Sequence, residues 1–133
     1  MYTFVLPSHS FIRWVIVILA LVIAVKFTIG WLRGSEFKGI DRGLVVALRG
    51  LLYLQATLGL ILLLGLGLSG EGFPAIRFAH GASMFIALVL AHLPIRWKNA
   101  TDQIRFRNTL FCIAGALLPI YLGVSILPIG WSW

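Results

Sequence analysis

Polar side chains interrupt this chain rarely and in clusters, and between the clusters lie four apolar stretches: Phe11 to Leu32, Leu44 to Leu68, Phe78 to Ile95 and Thr109 to Ile129. Each is near the ~20 residues that an α-helix needs to cross the hydrocarbon of a bilayer. With their flanks they predict helical spans at about 9–33, 42–68, 75–97 and 107–129, in one all-α, four-helix transmembrane bundle that occupies residues 1–133. Little chain is left for anything else. Pro74 suits the first turn of the third helix, and the glycines of Ser69-Gly-Glu-Gly-Phe-Pro74 suit a tight reversal before it. Pro94, Pro119 and Pro128 fall within or near span ends and are expected to bend them. Trp14 and Trp31, about 25 Å apart at helical rise, are placed to mark the two interfacial belts of the first span, with Trp97, Trp131 and Trp133 at interfaces as well.

Composition removes the soluble alternative: 60% hydrophobic residues, 11% charged residues and a mean hydropathy of +1.00 lie far from a water-soluble domain. The first span lacks the basic leading region and the small-residue cleavage pattern of a signal peptide, so it is expected to be retained.

Charge adds an orientation. Nine of the eleven Lys and Arg flank the first and third connections: Lys26, Arg33, Lys38, Arg42 and Arg49, then Arg96, Lys98, Arg105 and Arg107. Basic loops stay in the cytoplasm, which assigns segments 34–41 and 98–106 to that side and both termini to the outside. Placed beside membrane spans, a net charge of +7 points to anionic lipid headgroups and away from nucleic acid. Cys112 is the one cysteine and forms no intrachain disulfide.

The two basic residues on the disfavoured side each lie within one helical turn of a histidine: Arg13 after His9, and Arg77 before His80. The topology places both histidines toward the outer leaflet on different helices, where two neutral imidazoles form a suitable axial pair for haem iron. The small neighbours in Ala79-His80-Gly81-Ala82-Ser83 would admit a porphyrin, and the arginines would neutralise its propionates. Arg77, about 4.5 Å outward of His80, has the better geometry for this; Arg13 lies about 6 Å inward of His9 and has Gln55 or helix carbonyls as alternative partners. The plainer reading makes both histidines interfacial and both arginines snorkelling side chains. Met84, one turn beyond His80, is a weaker candidate ligand and a good packing residue. Gln55, in the middle of the second span, needs a partner inside the bundle: another helix, a haem edge or a quinone carbonyl. His92 lies about 18 Å along the third helix from His80 and on a different face, which suits a helix-end residue or a quinone or proton contact. No span has a central carboxylate, and the chain lacks paired carboxylates, a Cys/His cluster and a nucleotide-binding loop, so hydrolysis and most ion-coupled transport lack their usual groups.

Several segments together resemble a family of small bacterial four-span proteins often labelled cytochrome b-like: Leu6-Pro-Ser-His9-Ser-Phe-Ile-Arg13-Trp14, Gly30-Trp31 through Asp41-Arg42, Leu54-Gln55 with Gly59-Leu60, Arg77-Phe78 with His80 and Met84, and Gly130-Trp131. The resemblance covers nearly the whole chain and implies a multi-pass protein of the bacterial cytoplasmic membrane. It matches His9 and His80 as the histidines and Arg13, Gln55 and Arg77 as polar positions. The chain departs from the pattern with Pro7 and Tyr53 where histidine is frequent and Ala79 where glutamate is frequent, leaving His9 and His80 as the one candidate pair.

The resulting expectation is a membrane protein that binds one haem b and transfers single electrons, with quinol as a candidate donor. It would work alone or as a subunit of a respiratory or photosynthetic complex, as an electron carrier more than a stand-alone enzyme. The alternative is a cofactor-free accessory subunit whose apolar faces fill a groove in a larger membrane complex. A small-molecule carrier is disfavoured by the absence of central charge.

Overall fold

The computed structural model describes residues 2–132, with Tyr2 described for its backbone only. These residues form no strand, and four helices account for nearly all of them: α1 (Tyr2–Arg33), α2 (Gly39–Leu66), α3 (Ala75–His92) and α4 (Asp102–Ser125). A π-helical turn (Gly67–Glu71) extends α2, and a 3-10 turn (Leu93–Trp97) with Pro94 near its start extends α3. With these extensions all four are long and apolar enough to cross a membrane.

Helices form where the sequence predicts them, with different ends. α1 begins at Tyr2 and not near residue 9, running through Pro7 at the expense of the bond that Pro7 would otherwise donate to Thr3. His9 therefore lies two turns inside a helix. α4 begins at Asp102 and not near 107, because Thr101 caps it, accepting the Ile104 N–H at 3.5 Å. It ends at Ser125 and not at 129, since Pro128 has no N–H to continue the ladder. Pro119 lies inside α4 without ending it, and Pro74 immediately precedes α3. The interface position expected of Trp133 lies outside the described residues.

Neighbours in sequence pack together, and α4 closes the ring against α1, while the diagonal pairs make no close backbone approach among the described residues. The inward positions of α1 include Arg13, Ile16, Ala20, Ile23, Phe27 and Gly30, and those of α4 include Phe106, Thr109, Ile113, Ala116, Ile120 and Gly123. Both sets follow alternating three- and four-residue steps, the seam of left-handed helix packing. On the opposite side of α1, Phe4, Phe11, Ile18, Val25 and Leu32 recur every seven residues and are all exposed. An outward stripe of large apolar side chains is costly in water and natural against lipid.

One end of the bundle is pinned by charge and aromatic rings. Asp41, only 1% exposed, pairs with Lys26 of α1 and accepts the Lys38 N–H at 2.8 Å, capping α2. Phe27, Phe37 and Phe106 cluster there with centroid separations of 4.9 to 5.6 Å. The other end contains the two candidate ligands.

Candidate functional site

His80 owes its orientation to the end of α4. The Leu127 N–H, which a continuing helix would give to the Gly123 carbonyl, bonds instead to Val124 O at 3.1 Å. Gly123 O is taken up by His80 Nδ1 at 2.7 Å. A carbonyl only accepts, so Nδ1 carries the proton and Nε2 keeps its lone pair. A ring N–H held by a backbone carbonyl is the usual way to orient a metal-binding imidazole. Gly123 must be glycine here, because a Cβ at this position would lie 2.7 Å from both Met84 Cε and Ser83 Cβ. That contact also places Met84, whose side chain packs against α4 and the core.

His9 comes from the diagonally opposite helix. Its ring lies against the backbone of α2 at Gly59, where a Cβ would be 3.2 Å from His9 Cε1. Across the interior its centroid is 6.4 Å from that of His80, with the ring planes at 71°. Gln55, one turn from Gly59 on the same face of α2, is 8% exposed. Among the described residues, no hydrogen-bond partner meets the buried His9 Nδ1 or Gln55 Oε1. Buried polar atoms without partners are uncommon in native interiors, and here one belongs to the His9 ring itself and the other to Gln55, one turn from the Gly59 against which that ring lies.

The arginines tie chain segments together, Arg13 from a buried position one turn beyond His9 along α1. Arg13 donates from Nη1 to the Gly130 carbonyl at 3.3 Å, and its guanidinium lies 5.5 Å from the Trp14 ring and 5.3 Å from the Trp131 ring. This joins the start of α1 to the segment after α4, and Trp131 Nε1 bonds Ser125 Oγ at 3.0 Å. Arg77 pairs with Glu71 and lies 3.5 Å from Gly72 O, so it ties α3 to the turn before it. Of the candidates, His9, His80 and Gln55 converge on the interior from three helices, Met84 packs beside Gly123, and Arg13 and Arg77 hold the chain segments at that end.

A haem pair can be tested against this geometry. Imidazoles bound on opposite sides of one metal, with bonds of about 2 Å each, place their ring centroids about 6 Å apart. The observed 6.4 Å fits, as do the free Nε2 of His80 and the glycine backbone beside His9. No group of three or more His, Cys, Asp or Glu suited to a metal ion occurs among the described residues.

Sequence reasoning missed two partners. Gly123 was detectable in principle, being five residues before a proline that must end its helix. The pairing of Tyr53 with His92 is the second: the phenol donates to Nε2 at 2.5 Å, while Nδ1–H donates to Leu88 O at 2.9 Å. This pair bridges α2 and α3 toward the Asp41 end. Comparison with family models, curated proteins and solved structures finds no match to this chain.

Proposed function

We propose that the chain is a b-type haem protein of the bacterial cytoplasmic membrane, in which His9 and His80 would hold the haem for single-electron transfer. The observation that carries this reading is the facing pair of imidazoles at 6.4 Å, one of them with its proton fixed on Nδ1 by Gly123. The haem, when bound, supplies the one-electron chemistry. The protein supplies the ligands, their orientation and a low-dielectric sheath. Gln55 would bond the haem edge, and Arg77 would meet a propionate by exchanging its Glu71 partner. Arg13, with its carbonyl and two indoles, would tie α1 to the segment after α4 beside the site. Quinol is the proposed electron donor, and a larger respiratory or photosynthetic complex is the proposed setting.

The basic residues set the proposed orientation. The end carrying Lys26, Lys38, Arg42, Arg49, Lys98 and Arg105 faces the cytoplasm, and the His9/His80 end with both termini faces outward.

A second reading has its own support. The imidazoles touch edge to face and His9 already fills the space beside Gly59, as expected if they only close a bundle that serves as an accessory subunit. Absorption spectra of protein purified from haem-replete membranes separate the two. The haem reading expects a Soret band and a reduced α-band in the parent, with low-spin ligation lost in both His9→Ala and His80→Ala. A colourless parent that copurifies with other subunits supports the accessory role.

A further inference from the structure

The opposite end of the bundle carries a feature that electron transfer does not use. Arg42 and Arg49 of α2, Lys98 of the linker after α3, and Arg105 of α4 line one cavity of about 380 Å³ together with Asn99. Four cations around a common space repel one another unless an anion lies between them. Among the protein's described residues none lines it. Of its four carboxylates, Asp41 is committed to Lys26, Glu71 pairs with Arg77, and neither Glu36 nor Asp102 lines the cavity. Among the described residues none of the four cations makes a salt bridge.

The cluster is built into the fold. The Arg105 guanidinium is held 3.9 Å from the centroid of the Phe37 ring, and Phe37 belongs to the aromatic cluster that anchors the linker before α2. Arg49 is half-buried and lies ten residues into α2, where an uncompensated charge is expensive. Apart from Thr109 the rest of the lining is apolar: Val45 is buried, while Val46 and Ile95 are 52% and 46% exposed. A cavity that interleaves cations with apolar side chains, as Arg42, Val45, Val46 and Arg49 do along one face of α2, matches a ligand with a phosphate head and a hydrocarbon tail.

We propose that this cavity binds the phosphodiester head of an anionic phospholipid, with Arg42, Arg49, Lys98 and Arg105 around the phosphate and an acyl chain along Val46 and Ile95. Basic pockets between transmembrane helices at the cytoplasmic surface bind lipid headgroups by this chemistry. The site would seat the bundle in the leaflet and neutralise its charged end, whether or not a haem is bound at the other.

The test uses the full chain in phosphatidylcholine nanodiscs, with phosphatidylglycerol titrated in while bound lipid is counted by native mass spectrometry and thermal unfolding is followed. The parent is expected to retain phosphatidylglycerol saturably and to unfold at a higher temperature with it. Arg42→Gln/Lys98→Gln, which changes two exposed side chains, should weaken retention about fivefold for each charge removed. Arg33→Gln/Arg107→Gln, which removes the same charge outside the cavity, should leave it unchanged. Unfolding in phosphatidylcholine alone confirms that both variants are folded. Equal losses in the two variants would overturn the proposal in favour of diffuse surface attraction. Displacement of the lipid by millimolar inorganic phosphate would overturn the lipid assignment and identify a soluble-anion site; no saturable retention would overturn both.

Discussion

Two glycines of α4, Gly115 and Gly123, separate close helix approach from ordinary packing at the scale of single residues. A Cβ on Gly123 meets Met84 and Ser83 at 2.7 Å, whereas one on Gly115 finds only Leu90 Cδ1 at 3.8 Å. Gly123→Ala is therefore expected to destabilise the bundle by about 1–3 kcal/mol through overpacking. Gly115→Ala should be neutral or stabilise by about 0.5–1 kcal/mol, because alanine restricts the unfolded chain. Thermal unfolding in detergent reads both, and equal effects would contradict the close contact of α3 with α4. Gly123→Ala should also disturb the His80 hydrogen bond and thus the spectrum of any bound haem. The His9 and His80 candidates were legible because histidine is conspicuous in apolar sequence. The partner of His80 was less so, since Gly123 acts through a carbonyl that every residue has and only its spacing from Pro128 marks it.

Helices were legible as spans and less so as elements. Length and hydropathy locate four apolar segments, but a helix can continue beyond its most apolar part, as α1 does through Pro7 and α4 does back to Asp102. The packed face of α1 was hidden for a different reason. Phe4, Phe11 and Ile18 on its lipid side are as apolar as Ile16, Ile23 and Phe27 on its core side, so hydropathy does not distinguish them. Polar residues had to mark the interior instead, and Asp41 does so most clearly. Removing its partner with Lys26→Met leaves a carboxylate that is 1% exposed with its Lys38 cap alone. That variant is expected to lose about 1–3 kcal/mol. Adding Asp41→Asn should recover part of the loss, because a neutral amide retains the cap and removes the stranded charge. A double variant less stable than Lys26→Met would contradict this role for Asp41.

The whole molecule has two unlike ends, one carrying the facing His9 and His80 with Trp14 and Trp131, the other most of the cations. If basic charge fixes its orientation, Ser35→Cys and Asn99→Cys should react with an impermeant thiol reagent only from the cytoplasmic face, and Ser69→Cys only from outside. The native Cys112 is buried and gives a low background. The reverse pattern would invert the proposed topology. At this scale the sequence was most informative, because span number and charge asymmetry are properties of segments and survive errors of several residues at helix ends. Whether the imidazole pair binds haem is decided most directly by titrating haem into the purified apoprotein in detergent and recording oxidised and dithionite-reduced spectra. Saturation at one haem per chain with a low-spin, six-coordinate b-type spectrum is the predicted result; no saturable uptake, or only a high-spin five-coordinate species, would contradict bis-imidazole ligation by His9 and His80.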